Sequence, residues 1–564
     1  MNPKLIWDRE LGYITTLSSK DIFSGEDVVQ RLDLYRAIEG HSGCVNTLRW
    51  NKLGSMLASG SDDKSIKIWD CEGTLLNSFE TSHTGNIFGV EFLPGMDDRF
   101  VTSCAADCRV ILTDIERKYE LSSWETRGRV KKMATTHFSP KQVWSISEDQ
   151  FVRLHDCRDH TAVSMFSLNH KGKTIDASPN KPYYIAVGSE HAAVAIYDQR
   201  KTNRPMIKLC PADKHIEAPL YVTHLQFSRK TNHILANYGR ASLYLFNLDN
   251  DLNDPSSFIN KIDKLKDTVC VEMSDVDNNV IDEESLMEQS SNLISNMKYM
   301  EAINLLTRSL KQTSWSREQK AMFFLKRADA YMKRKMEGDS YSSARDTVDA
   351  ALLIPNDHRP IRSLISILLT MEQTNLALEV INLFKSRFPD EGAKDDIKEV
   401  EDAFDQLSRA STRPKDIRKA LRSRRDYESR YTGHTNANTD IKEATFFGPN
   451  EEYIITGCDS GHIFIYNRNL CNIETLLKGD SSVTNIVQPH PFLPLIASSG
   501  LDPSILLWSP YNHGEMPLPS HSSRRIHYSQ AEDTLTRNTT RNLIRELVLL
   551  QRLESRERPD CLAS

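Results

Sequence analysis

No run of apolar residues in this chain approaches the roughly 18 needed to cross a bilayer, so no membrane span is expected. The opening MNPKLIWDRE has no basic stretch followed by an apolar core, and no secretory signal is expected. There is no excess of basic charge either. Lys plus Arg number 71 against 77 Asp plus Glu, a net charge of −6, which argues against direct nucleic-acid binding. Catalytic patterns are also missing. At HKGKT, residues 170–174, Ser167 stands where a phosphate loop needs its first glycine. Gly-x-Ser-x-Gly, His-Glu-x-x-His and Cys-x-x-Cys are absent. Cys104 and Cys108 lie four apart across a strand–turn position, where small buried residues are usual. We therefore expect no metal, no cofactor, no catalytic residue and no enzymatic activity. The ten cysteines are scattered through strand-like runs, as reduced thiols of a protein of the cytoplasm and nucleus would be.

What the chain does contain is a repeat. Residues 40–70 read GHSGCVNTLRWNKLGSMLASGSDDKSIKIWD: a Gly-His start, alternating strands, a tight hairpin at Asp62-Asp63 and a Trp-Asp end. His41, Ser59, Asp63 and Trp69 stand where a hydrogen-bonded set would tie neighbouring strands, with Asp63 accepting from turn amides and from His41. Six more copies follow the same spacing. The second keeps Ser103 and Asp107 but has Thr113 for Trp; the third has Ser145, Asp149 and His155; the fourth puts Tyr197 in the Trp place. The fifth, VTHLQFSRKTNHILANYGRASLYLFN, has lost its Asp. After about 180 residues the pattern resumes at 433–467 and ends in a seventh copy with Ser498, Asp502 and Trp508. Four strands per repeat of roughly 40–45 residues is the period of WD40 propellers, and seven is a common ring size. LDLYRAIEG, ahead of the first copy, could supply the outer strand of the last blade and staple the ring shut. Two separate half-propellers are the alternative.

The interruption reads as a polar linker over 250–282, then helices. Leu286, Leu293, Met297, Ala302, Leu305 and Leu306 are helix-spaced, Ala328 and Tyr331 lie three apart, and Pro355 and Pro389 are 34 apart. About three helical pairs of the tetratricopeptide kind would form a short solenoid with a peptide groove; a generic helical insertion is the plainer reading. A basic run follows, with Arg413, Lys415, Arg418, Lys419, Arg422, Arg424, Arg425 and Arg430, either a solvated helix face or a contact for an acidic partner or nucleic acid. The resulting fold is mainly β with an α-helical insertion, a seven-bladed WD40 β-propeller interrupted by a tetratricopeptide-like module. Its parts are a tail with a short helix begun by Ser24 and Asp27 (1–33), blades one to five (34–250), helices (283–430), blades six and seven (431–509), and a tail whose Leu543, Leu547 and Leu550 form one apolar stripe (510–564).

Two blade ends carry Asp-x-Arg: Asp156 and Arg158 in the third, Asp198 and Arg200 in the fourth. Here the chain resembles receptors of the cullin-4 RING ubiquitin ligases, in which an aromatic residue, Asp, any residue and Arg close a blade. The resemblance implies that Arg158 and Arg200 contact the damaged-DNA-binding adaptor. The third blade departs from that box, with His155 at the aromatic place. An Asp–Arg pair that merely fixes a turn is the structural alternative. The order of five WD blades, helices and two blades, with GHSGCVNTLRWN, LASGSDD, HTGNIFGVEFLP, TDIKEATFFG and ASSGLDPSILLW, resembles the WD and tetratricopeptide repeats protein 1 (adipose) family over about residues 34–509. That resemblance implies a non-enzymatic scaffold that receives substrate proteins for a cullin-4 ligase. It also implies contact with histones and a histone deacetylase corepressor that restrains fat storage. A corepressor without a ligase role, binding histone tails through acidic propeller patches, is the competing expectation.

Overall fold

The computed structural model describes residues 28–96, 98–159, 162–213, 220–249, 257–267, 281–312, 315–389, 404, 424–510 and 525–526. They form two compact units. One takes the chain up to Leu209, residues 220–248, and the chain from Tyr427 onward; the other takes 210–213 and the chain from Asp249 to Asp426.

The first unit is the ring. Its opening strand is β1 (Asp33–Ile38). Blade one holds β2 (Val45–Trp50), β3 (Met56–Ser61), β4 (Ser65–Asp70) and β5 (Leu75–Glu80). Blade two holds β6 (Ile87–Phe92), β7 (Phe100–Ala105), β8 (Arg109–Asp114) and β9 (Tyr119–Glu125). Blade three holds β10 (Val130–Thr135), β11 (Gln142–Ser147), β12 (Phe151–Asp156) and β13 (Ala162–Ser167). Blade four holds β14 (Gly172–Ala177), β15 (Tyr184–Ser189), β16 (His191–Asp198) and β17 (Ile207–Leu209). Blade five holds β18 (Tyr221–Phe227), β19 (His233–Gly239), β20 (Leu243–Asn247) and β21 (Ser429–Tyr431). Blade six holds β22 (Ala444–Phe447), β23 (Tyr453–Gly457), β24 (His462–Asn467) and β25 (Ile473–Lys478). Blade seven holds β26 (Thr484–Pro489), β27 (Ile496–Gly500) and β28 (Ile505–Ser509), and β1 pairs antiparallel with β28 as its outer strand.

The inner strands β2, β6, β10, β14, β18, β22 and β26 each contact the next, and β26 contacts β2. The sheet therefore closes on itself, and the half-propeller alternative fails. Between blades lie apolar layers, such as Trp144, Ile146, Phe166, Ile175, Ile185 and Tyr197 between blades three and four. Burial on both faces leaves polar members of the alternation, such as Thr47 and Ser59, buried beside the apolar ones.

The structure departs from the sequence reading in four places. The insertion does not fall between blades. It splits blade five, whose outer strand β21 returns only at Ser429, so residues 427–430 belong to the ring and not to the helices. The stretch read as a linker contains a helix, α1 (Phe258–Asp267), with Phe258, Ile262 and Leu265 buried. Met297, placed on an apolar helix stripe, sits in a turn with φ of 59° and is exposed, because the helix ends at Ser295. The short helix expected near 24–32 is a 3-10 turn at Val29–Arg31, its Val29 and Leu32 buried against Trp508 and Leu477; Ser24 and Asp27 lie outside the described residues. Of the basic run only Arg424, Arg425 and Arg430 are described, and the C-terminal apolar stripe is not. Arg525–Ile526 form β29, a fifth strand on the outer edge of blade six.

The second unit continues with α2 (Ile281–Ser295), α3 (Tyr299–Lys311), α4 (Arg317–Arg334), α5 (Asp339–Leu353), α6 (His358–Thr370) and α7 (Thr374–Arg387). Successive helices pack as hairpins, and α1 lies against α5. Buried Ala302, Ala328, Ala344, Ala351 and Ala377 allow close helix approach. Ser316 and Gln319 form a capping box at the start of α4. Inside, Arg327 makes a two-armed ion pair with Asp346 at 2.7 Å and also donates to Thr307.

Candidate functional site

Blades one, two, three and seven are each tied at one end by a hydrogen-bonded set. In blade one Trp69 Nε1 donates to Ser59 Oγ (2.9 Å), Ser59 to His41 Nε2 (2.7 Å), and His41 Nδ1 to Asp63 Oδ2 (2.8 Å). Asp63 accepts further from the Ser42 and Ser65 amides and the Ser65 hydroxyl. Burial holds His41 below its ordinary pKa, so it is a neutral relay with its proton on Nδ1. Burial works against the Asp63 carboxylate, yet its Ser65 and His41 donors bring it down to about 2. Blade two repeats the set with His83, Ser103 and Asp107, while Thr113 leaves its hydroxyl unpartnered among the described residues. In blade three His155 takes the Trp place and shares a hydrogen bond with Ser145 (2.7 Å), and Asp149 is held by Arg153 instead of a His. In blade seven Trp508 donates to Ser498 (2.8 Å), and Asp502 accepts from Ser481. These residues hold the blades together. Replacing Asp63 with alanine strips an acceptor from four donors, and a loss of about 2–3 kcal/mol is expected by urea unfolding. Because both His41 and Asp63 titrate below their unfolded values, their contribution is full above pH 6.5. It falls as the pH drops, first through the histidine and then, between about pH 4 and 2, through the carboxylate.

The opposite end of each blade carries the turns joining its first strand to its second and its third to its fourth. In blades one to four the last residue of the third strand is Asp, and its carboxylate accepts the amide two residues on: Glu72, Glu116, Arg158 and Arg200. Asp thus shapes the turn whatever follows it. Only blades three and four put Arg there. Arg158 pairs with Asp156 through Nε and Nη2 (2.8 and 2.7 Å), and Arg200 with Asp198 likewise (2.9 and 2.7 Å). Those hydrogen bonds depress both carboxyls, Asp198 to about 2. The turn-fixing pair is therefore present, but the guanidinium side chains remain 67% and 60% exposed. Arg200 also lies 3.9 Å above the Tyr183 ring. The same end exposes Leu53, Phe138, Tyr183, Phe492 and Leu493 on first turns of four blades. Exposed apolar residues around fixed guanidinium groups are the makings of a protein-docking rim.

Two further features escaped the sequence reading. Along the axis, the buried Glu443 carboxylate is met by Lys132, by Gln488, by Arg49 (3.8 Å) and by His224 (3.9 Å), and Arg49 also pairs with Glu91 (2.6 Å). Burial would raise Glu443, but Lys132, Arg49 and His224 hold it well below the usual carboxylate range, and burial brings His224 down to about 3. Second, six of the seven inner strands carry a bulge within two residues of their start, at Asn46, Phe88, Lys131, Lys173, Thr223 and Asn485. A bulge re-aims its residue. Asn46, Phe88 and Asn485 line a cavity of about 370 Å³ at the end of the ring away from Arg158, together with Asp62, Tyr221 and Asp440. Lys131 and Lys173 each reach Asp440 at 3.0 Å. Alternation alone does not show where a strand will bulge. Among the described residues no group of three or more His, Cys, Asp or Glu could hold a metal.

Comparison with known proteins agrees with this architecture. The WD domain, G-beta repeat family matches residues 32–70 and 426–467. The chain is 30% identical to WD and tetratricopeptide repeats protein 1 of Homo sapiens, over 86% of each chain. It is 26% identical to Protein ALTERED SEED GERMINATION 2 of Arabidopsis thaliana, over 86% of this chain and 87% of that one. It is 29% identical to DDB1- and CUL4-associated factor 6 of Mus musculus, over 44% of this chain and 32% of that one.

Proposed function

Since the chain belongs to the WD and tetratricopeptide repeats protein 1 family, we propose that it is a substrate receptor whose propeller docks on the damaged-DNA-binding adaptor of a cullin-4 RING ubiquitin ligase. A WD40 propeller is a protein-interaction scaffold, and one relative is by name associated with that adaptor and cullin. The observation that carries the reading is the rim of blades three and four. Two neighbouring blades present, at the same end, a guanidinium fixed by its own carboxylate and open on its outer side. A fixed planar fork loses little freedom on binding and suits a partner's carbonyl or carboxylate. The carboxylate keeps each Arg aimed; the surrounding apolar residues supply the area.

The Arg158→Ala, Arg200→Ala double variant is expected to bind the adaptor at least tenfold more weakly, while its thermal unfolding changes little because both side chains are exposed. The check is a pull-down with purified adaptor, read beside a melting curve. Equal recovery of adaptor by the variant and the parent chain would reject the rim.

A further inference from the structure

We propose that Thr202, on the blade-four connection beside Arg200, is a phosphorylation site for a protein kinase that selects basic residues, and that its phosphate takes Arg200 away from a docked partner. The modification stands on the geometry of the connection alone; its consequence rests on the docking role of the rim.

Three observations meet here. The first is length. In blades one and two the third and fourth strands are joined by Cys71–Thr74 and Ile115–Lys118, tight turns shaped by the Asp carboxylate. In blade four the connection runs from Gln199 to Met206, twice as long, and so offers the extended run a kinase cleft needs around its acceptor. The second is looseness. The Lys201 amide donates to the Asp198 carbonyl at 2.9 Å and the Met206 amide to the Ile196 carbonyl at 2.8 Å, which pins the two ends. Between them, Thr202, Asn203, Arg204 and Pro205 make no hydrogen bond among the described residues. Asn203 and Arg204 are exposed, and Thr202 and Pro205 are half-buried. Drawing this stretch outward therefore breaks no hydrogen bond and moves no buried side chain, an opening from the low-cost end of local unfolding. Pro205 also holds Arg204 to extended backbone. The third is charge. The order Arg200, Lys201, Thr202, Asn203, Arg204 sets basic residues on both sides of one hydroxyl, a charge pattern of the kind by which kinases sort substrates. Lys201 and Arg204 make no ion pair among the described residues, so both are open to an acidic cleft and, afterwards, to the phosphate.

In the transfer, Thr202 Oγ1 attacks the γ-phosphorus of ATP, the bond to the β,γ-bridging oxygen breaks, ADP leaves, and the hydroxyl proton passes to the aspartate of the kinase. The product carries a charge of about −1.5 to −2 and three acceptor oxygens, two residues along the chain from Arg200. Asp198 occupies Nε and Nη2 of that guanidinium and leaves Nη1 for the phosphate. Before transfer Asp198 faces Arg200, Lys201 and Arg204, and the edge of blade four is positive. Afterwards these charges roughly cancel, and the fork that was open on its outer side is closed by an anion of the chain's own.

The test treats the full-length chain with magnesium ATP and a basic-directed kinase catalytic domain of the protein kinase C type, and locates phosphate by peptide mass. Thr202 is expected to be phosphorylated, and a Thr202 left unmodified would overturn the site. The treated chain is then expected to recover at least tenfold less of the purified adaptor than the untreated chain, and phosphatase is expected to restore recovery. Thr202→Val, whose parent hydroxyl makes no hydrogen bond among the described residues, is expected to melt like the parent and, after the same treatment, to recover as much adaptor as the untreated chain. That control removes any effect of phosphate placed elsewhere. The Arg158→Ala, Arg200→Ala variant separates the two failures. If it binds adaptor normally, the rim reading falls and the release through Arg200 falls with it, while the mapped phosphate still decides the site. If it binds weakly but the chain phosphorylated at Thr202 binds as the parent does, the rim stands and the release is overturned.

Discussion

Glu443→Ala is expected to cost the propeller about 3–5 kcal/mol, the largest loss from any single polar side chain in the ring. Glu443 is fully buried and is the carboxylate toward which Lys132, Arg49 and His224 converge from blades three, one and five, with Gln488 donating from blade seven. Alanine leaves the Lys132 ammonium in the axis with no carboxylate, and Arg49 with Glu91 alone. The pair itself is not the source of the loss, since two buried ions lose hydration when they meet; the loss comes from stranding one of them. Glu443→Met with Lys132→Met together is therefore expected to recover most of the stability. Urea unfolding followed by tryptophan fluorescence suits the measurement, because Trp50, Trp69, Trp124, Trp144 and Trp508 all lie in the ring. The pH dependence has a definite sign. The folded carboxyl titrates far below its unfolded value of 4.5, so its contribution is full above pH 4.5 and fades only in stronger acid. In Glu443→Ala that acid limb is expected to flatten. A variant as stable as the parent would mean that the axial charges are hydrated.

Removing residues 1–38 is expected to be as damaging, and far more so than removing residues 1–27. β1 pairs along β28 from Asp33–Ser509 to Ile38–Ile505, and Ile38 is buried among Ile505, Leu507 and Trp69. Buried Val28, Val29, Leu32 and Ile38, half-buried Leu34 and a ladder of hydrogen bonds are lost together, on the order of 5 kcal/mol or more after the ordering cost of the strand. What remains is worse than a weaker blade. β28 becomes an open apolar edge, a template for pairing with other chains. The shortened chain is expected to melt well below the parent and to aggregate, and a synthetic peptide of residues 28–40 is expected to restore part of the melting temperature. Equal melting of the two truncations would mean that the seam carries no load.

The ring was legible because its ties are local. His41, Ser59, Asp63 and Trp69 recur at spacings that one hairpin dictates, and substitutes such as Tyr197 and His155 keep the size and polarity the slot requires. The break in blade five was misread because β21 is three residues, Ser-Arg-Tyr, inside a basic stretch that offers neither alternation nor a turn signal. α1 was missed because its ten residues follow a polar run and bury only three apolar side chains. The axis and the mouth were hidden for a different reason. A charged residue on an inner strand reads as facing water, but in a closed ring that face is the channel, so Arg49, Glu91, Lys132 and Glu443 meet one another. At the rim the residues were legible while their geometry was not. Asp-x-Arg showed which residues end the two blades, and only the folded structure reveals that the carboxylate shapes a turn also found in blades that lack the Arg.

The seam between β1 and β28 also sets a timetable. The two halves of blade seven lie at opposite ends of the described ring, so on the ribosome the first-made strand must wait for the last. At roughly 5–20 residues per second, that wait is about 25–95 s. By its end the nascent polypeptide holds six arcs of an unlocked circle, the fifth of them having waited for its outer strand while the helices were translated. Such a chain spends its infancy sticky, and how long its apolar edges stay open to other chains is set by the order in which its pieces are born.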